Sequence, residues 1–132
     1  MKNLSRFLLA ALLFAAPALL AQSAAAPATP APAMKSWFIR LVPRPTFLKD
    51  ITENEKKVME QHFVYLKDLF DKGICVFGGP VLDPKGVFGV VVVRAATEEE
   101  ARALAAADPS VKAGINKMDV AEMRIAFPPK TQ

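Results

Sequence analysis

The chain has 132 residues, 52% of them hydrophobic, a length that suits one domain and excludes a kinase, a P-loop ATPase or a full dinucleotide-binding enzyme. Setting aside Lys2 and Arg6 of the amino-terminal segment leaves 15 basic against 13 acidic side chains, a net of +2 instead of +4. These basic residues are scattered, with Lys56-Lys57 the only adjacent pair, whereas a surface that follows phosphates needs a clustered stripe; nucleic acid is excluded as a partner.

Met1 to Arg6 carry two positive charges, Phe7 to Ala21 form an apolar run broken only by Pro17, and small residues follow through Ala26. That order predicts a cleaved secretory signal over residues 1–25, cut between Ala21 and Ala25. The run is shorter than the roughly twenty residues that cross a bilayer, so no stable membrane span is expected after cleavage and the mature protein is expected to be periplasmic or secreted. Residues 26–34 are rich in alanine and proline, favour extended backbone and offer no large side chain to a core; they read as a linker before a domain at residues 35–128.

Ser36 to Val42 is aromatic and β-branched and stops at Pro43-Arg44-Pro45, which predicts a first strand. Thr52-Glu53-Asn54-Glu55 matches a capping box, in which the threonine hydroxyl and the glutamate three residues on satisfy amides at a helix start. A long helix should run from it to about Asp71, with Val58, Met59, Phe63, Leu66, Leu69 and Phe70 at three- and four-residue spacing and Gly73 as a left-handed stop. Ile74 to Phe77 predicts a second strand ended by Gly78-Gly79-Pro80, and Val87 to Val93 a third, the two forming a hairpin around the turn Leu82 to Gly86. Thr97 to Glu100 repeats the capping box before an alanine-rich helix through Ala107. Asp108-Pro109 places a capping carboxylate before a proline at the first helical position, opening a short turn that Gly114 closes. A last strand should run from about Lys117 to Phe127; its alternation changes parity between Val120 and Met123, for which a bulge is one explanation.

The order βαββαβ in a chain this short predicts an α+β, ferredoxin-like fold, a four-stranded antiparallel sheet with both helices on one face. The first strand is apolar on both parities, with Trp37, Ile39 and Leu41 opposite Phe38 and Val42, so the other face is expected to be covered by a second copy in a homodimer.

The lone cysteine, Cys75, lies in an apolar stretch; it excludes an internal disulfide and a multi-cysteine metal site and reads as a buried, inert thiol. His62, the only histidine, sits four residues after Val58 and four before Leu66, on the buried stripe of the long helix. Imidazole titrates near neutrality and suits proton transfer, while a core histidine bonded to a backbone carbonyl is the ordinary account of the position. Asp108 is explained by capping, yet a capping carboxylate can accept a second bond from an imidazole; Asp83 has the same ambiguity as a turn residue. Gly79 and Pro80 allow close backbone approach and end the ladder, leaving amides for a ligand oxygen. Arg40 interrupts an apolar strand and must pair with a carboxylate, reach solvent at an edge or hold an anion. Tyr65, three residues past His62, either lines the same cleft or faces solvent. With one histidine and no clustered ligands, no metal is expected, and without an attachment motif or a Gly-rich phosphate loop no other cofactor is expected either.

Several of these pieces recur in order in one family. Glu60-Gln61-His62-Phe63-Val64-Tyr65-Leu66, Gly79-Pro80, Gly86 and Gly89, Glu99-Glu100-Ala101, and Ala107-Asp108-Pro109-Ser110-Val111-Lys112-Ala113-Gly114 make the stretch from Ser36 to Phe127 resemble the YCII-related (YciI-like) domain family. The resemblance implies a dimeric α/β-barrel and a pocket near the first helix where a histidine and an aspartate form a catalytic pair. Some members of that family look like lyases or dehydrochlorinases acting on small cyclic compounds. The histidine maps onto His62 and the aspartate onto Asp108, with Asp83 the alternative; the export signal departs from the family's usual cytoplasmic pattern.

Two functions are therefore expected to compete. One is an exported acid-base enzyme, an isomerase or lyase working on a small cyclic or anionic molecule through His62 and Asp108, with Arg40, Tyr65, Gly79, Pro80 and Asp83 as candidate substrate contacts. The other is a non-catalytic periplasmic dimer that binds a small molecule or another protein.

Overall fold

The computed structural model describes residues 32–128; the signal sequence and most of the linker expected from the sequence lie outside them. Eight elements follow one another: β1 (Lys35–Pro43), α1 (Phe47–Asp50), α2 (Glu53–Asp71), β2 (Cys75–Val81), β3 (Phe88–Ala95), α3 (Glu98–Ala107), α4 (Pro109–Lys112) and β4 (Asn116–Met123). The strands form one antiparallel sheet in the order β2-β3-β1-β4, the ferredoxin-like arrangement. The α+β fold with its βαββαβ core is as the sequence predicts, with α1 as an addition in the β1–α2 connection.

Strand alternation decides the core. Trp37, Ile39 and Leu41 of β1 lie across from Val93, Val91 and Gly89 of β3, and this face packs against Leu69 of α2 and Ala101 and Ala105 of α3. Met118 and Val120 of β4 join the same layer. The Trp37 indole donates to the Ala95 carbonyl, so the polar edge of this buried ring is satisfied. Phe38, Arg40 and Val42 alternate onto the opposite face of the sheet, together with Val90 and Val92 of β3.

Helix α2 begins as expected. Thr52 accepts from the Glu55 amide while the Glu55 carboxylate accepts from the Thr52 amide, and Gly73, at φ 70°, follows the helix end. Arg44 reinforces this start by donating to both Glu55 oxygens and pairing with Asp50, which ties α1 to the first turn of α2. These donors hold the Glu55 carboxyl down at about 2. At α3 the box is incomplete: Thr97 accepts from the Glu100 amide, but the Glu100 carboxylate takes its bond from Ala96.

Three further expectations are corrected. Strand β2 does not stop at Gly78; it runs on to Val81, with Gly79 opposite Val90 and Pro80 opposite Gly89. A proline is tolerated there because β2 is an edge strand and one side of it has no ladder to complete. Gly78 permits close strand approach, since a Cβ would stand 3.0 Å from the Val90 carbonyl oxygen. The irregularity expected in β4 lies instead in β2, between Cys75 and Phe77, while β4 pairs with β1 in continuous register from Asn116 to Met123 and ends there. Met123 breaks the apolar parity because it faces the other side of the sheet from Met118 and Val120. Finally, Phe63 and Phe70 are not core residues: they are 67% and 58% exposed, because α2 packs on α4 and leaves a gap over β2 and β3.

Candidate active site

The gap is a cavity of about 660 Å³ between α2 and the β2–β3 side of the sheet, closed at one end by α1. Its walls are mostly apolar, with Leu41, Phe47, Met59, Leu66, Phe88 and Val91 among them. Gly79 and Pro80 line it directly, so the extended β2 strand presents backbone to a ligand. Of the polar side chains that border it, His62 carries the imidazole, the group best suited to take and return a proton.

His62 reaches the cavity from the middle of α2, and its Nδ1 lies 2.7 and 2.9 Å from the two oxygens of Asp108. Asp108 is 2% exposed and is fixed in turn by its own cap. Its Oδ1 accepts from the Ser110 amide and the Ser110 hydroxyl, at 2.8 and 2.7 Å, and the Asn116 amide donates to that hydroxyl at 2.9 Å. Asn116, Ser110, Asp108 and His62 thus form one hydrogen-bonded chain that runs from β4 through α4 to α2.

The chain determines where the protons are. Burial alone would push the Asp108 carboxyl up, but the bonds from His62 and Ser110 and the charge of the imidazole outweigh it and hold the group below its ordinary range. An ionised carboxylate only accepts, so His62 Nδ1 must carry a hydrogen and donate. In the neutral ring Nε2 then has its lone pair free. Among the described residues no group bonds to Nε2 and no buried polar side-chain atom lacks a partner, so this nitrogen is accessible from the cavity side. The arrangement can take a proton at Nε2 and hold the resulting imidazolium against Asp108.

The remaining candidate residues lie elsewhere. Arg40 projects from the opposite face of the sheet, exposed, with its guanidinium 4.5 Å from the centre of the Phe88 ring. Tyr65 does not line the cavity and is half-buried. Its hydroxyl donates to the Leu104 carbonyl at 2.8 Å and ties α2 to α3, and burial and then the negative charge of Asp108 push its phenol up. Asp83 closes the β2–β3 turn by accepting from the Lys85 amide, and it does not contact His62. Cys75 borders the cavity, but burial pushes its thiol up, which keeps it protonated and poorly nucleophilic.

Sequence reasoning did not single out Ser110 or Asn116. Ser110 had a signal, since a serine two residues after a capping aspartate can bond to it. Asn116 had none; it comes to Ser110 only when β4 enters the sheet. Among the described residues no group of three or more histidine, cysteine, aspartate or glutamate side chains gathers to hold a metal, and no helix is long and apolar enough to cross a membrane.

Comparison with known proteins agrees with the fold. A search of curated proteins finds no match. Among solved structures, the chain is similar to 5-chloro-2-hydroxyhydroquinone dehydrochlorinase from Burkholderia phenoliruptrix AC1100, solved in complex with 2,5-dihydroxybenzoquinone. The two share 24% sequence identity and a TM-score of 0.54, over 67% of this chain and 93% of that one. A family model for the YCII-related domain matches residues 36–124, nearly the whole of the sheet and its helices. The chain therefore belongs to the YCII-related domain family.

Proposed function

We propose that this protein is a small exported enzyme that carries out acid-base chemistry on a small cyclic molecule. His62 takes and returns the proton, and Asp108 holds its ring in position. One observation carries the reading: the sole histidine is anchored through Nδ1 to a buried, ionised carboxylate, while its Nε2 is left to an apolar cavity. A histidine kept only for packing would satisfy both nitrogens within the protein.

Elimination or isomerisation fits this equipment. In an elimination, Nε2 removes a proton from the substrate, the C–H electron pair forms the new double bond, and the leaving group departs with its own pair. In an isomerisation the same proton returns at another atom. The dehydrochlorinase that shares the fold supports elimination as the first reaction to test. The proposal also includes export by residues 1–25 and a homodimer formed through the sheet face that carries Phe38, Val42 and Val92.

The test is a screen of small halogenated and hydroxylated cyclic compounds with the wild-type protein and His62→Gln. Turnover by the wild type and a loss of about 10²–10⁴-fold in the variant, with unchanged circular dichroism, is the expected result. Equal turnover in the two proteins overturns the proposal. Binding without turnover of any compound would instead support the non-catalytic binding dimer.

A further inference from the structure

Among the described residues Lys67 is the one cationic side chain that borders the cavity, apart from whatever charge His62 acquires. It lies five residues after His62 on α2, and 58% of its side chain is exposed, so it stands at the mouth while the imidazole bonded to Asp108 lies deeper. The mouth is otherwise apolar: Leu48, Phe63 and Phe70 border the cavity and are 68%, 67% and 58% exposed. A ligand entering here meets hydrocarbon on its body, an imidazole at the far end and one ammonium group at the rim. Asn116, the other polar side chain on the wall, is buried and donates to Ser110, which leaves it little capacity for a ligand.

We propose that Lys67 is a binding residue for the anionic group of an apolar substrate, a flat ring carrying a carboxylate, a sulfonate or an ionised hydroxyl. The inference rests on the reading of the cavity as the substrate site and narrows the substrate class to organic anions. The Lys67 ammonium now pairs with Asp71 at 2.6 Å, an exposed pair one helical turn apart. Such pairs are weak and flexible, so the long lysine stem can move its charge from Asp71 to a ligand at the mouth. Its attraction for an anion gains strength beside apolar walls, where less water screens the charge.

The test needs no substrate. 8-Anilinonaphthalene-1-sulfonate and N-phenyl-1-naphthylamine differ by the sulfonate alone, and binding of each to the full chain is followed by the ring resonances of His62, the only histidine in the protein. Both probes should shift those resonances. The sulfonate should bind more tightly, Lys67→Met should weaken it about threefold to tenfold without changing the neutral probe, and Lys67→Arg should retain most of the preference. If both probes shift His62 but Lys67→Met leaves their affinities unchanged, the role of Lys67 is overturned and the acid-base reading stands. If neither probe shifts His62, the cavity does not take such ligands and the inference is overturned with it.

Discussion

Asp108 does two jobs with one carboxylate. It caps α4 through the Ser110 amide and orients His62, and both bonds favour its ionised form. Its folded-state pKa is lowered, so its contribution to stability is complete above the unfolded value of roughly 3.9 and disappears as pH falls through the lower folded value. Urea unfolding between pH 6 and pH 2.5 should therefore show a shallower acid loss for Asp108→Asn than for the wild type, and parallel curves would contradict this assignment. The same variant should lower turnover by about 10²–10⁴-fold, because a neutral amide neither fixes the Nδ1–H tautomer nor stabilises the imidazolium. Ser110→Ala removes a donor from Asp108 and takes from the buried Asn116 amide its hydrogen-bond acceptor. A cost of about 1–3 kcal/mol is expected in denaturant titration, with turnover reduced less than in Asp108→Asn.

Among the elements, α2 carries the most, since it holds His62, walls the cavity and is tied to its neighbours at both levels. Its start was legible from Thr52 and Glu55 alone, because a capping box is a local contact among four consecutive residues. Thr52→Ala should cost about 1 kcal/mol in thermal or denaturant unfolding. A cost near zero would mean that Arg44, which grips the same Glu55, is enough to hold the first turn. The inward face of α2 was less legible. Periodicity marks which residues share a stripe, and it correctly groups His62 with Val58 and Leu66, but it cannot tell a core from a cavity wall. Phe63 and Phe70 follow the apolar rhythm and still border an open cleft, because α2 leans on α4 instead of lying flat on β2 and β3. Strand β2 misled for a related reason: Gly78-Gly79-Pro80 reads as a breaker until the strand is known to be an edge, where a missing amide costs no ladder bond.

For the whole molecule, the proposed dimer is the outstanding test. Phe38 and Val42 give the helix-free face of the sheet an apolar centre around the fully buried Val92, with Arg40 stacked beside it on Phe88. Sedimentation equilibrium of the mature chain at micromolar concentration should return a dimer, and Phe38→Asp should shift it to monomer. A wild-type monomer would overturn the pairing of sheet faces. Export is tested by expressing the whole chain and locating the cleaved product, and retention of residues 1–25 in the cytoplasm would overturn it.

What the chain order alone could establish was what near neighbours carry: the βαββαβ succession, the caps at Thr52, Thr97 and Asp108, and the lone histidine on an inward helix stripe. Those features depend on spacings of two to four residues, the repeats of strands, helices and turns. The choice between Asp83 and Asp108 depends instead on which loop returns to α2, and 46 residues separate His62 from its partner. Packing of α4 against α2 brings them to hydrogen-bond distance, and the entry of β4 into the sheet delivers Asn116 to Ser110. The same packing leaves α2 standing away from β2 and β3, and that gap turns a buried-looking histidine into one with a free nitrogen at the edge of a cavity.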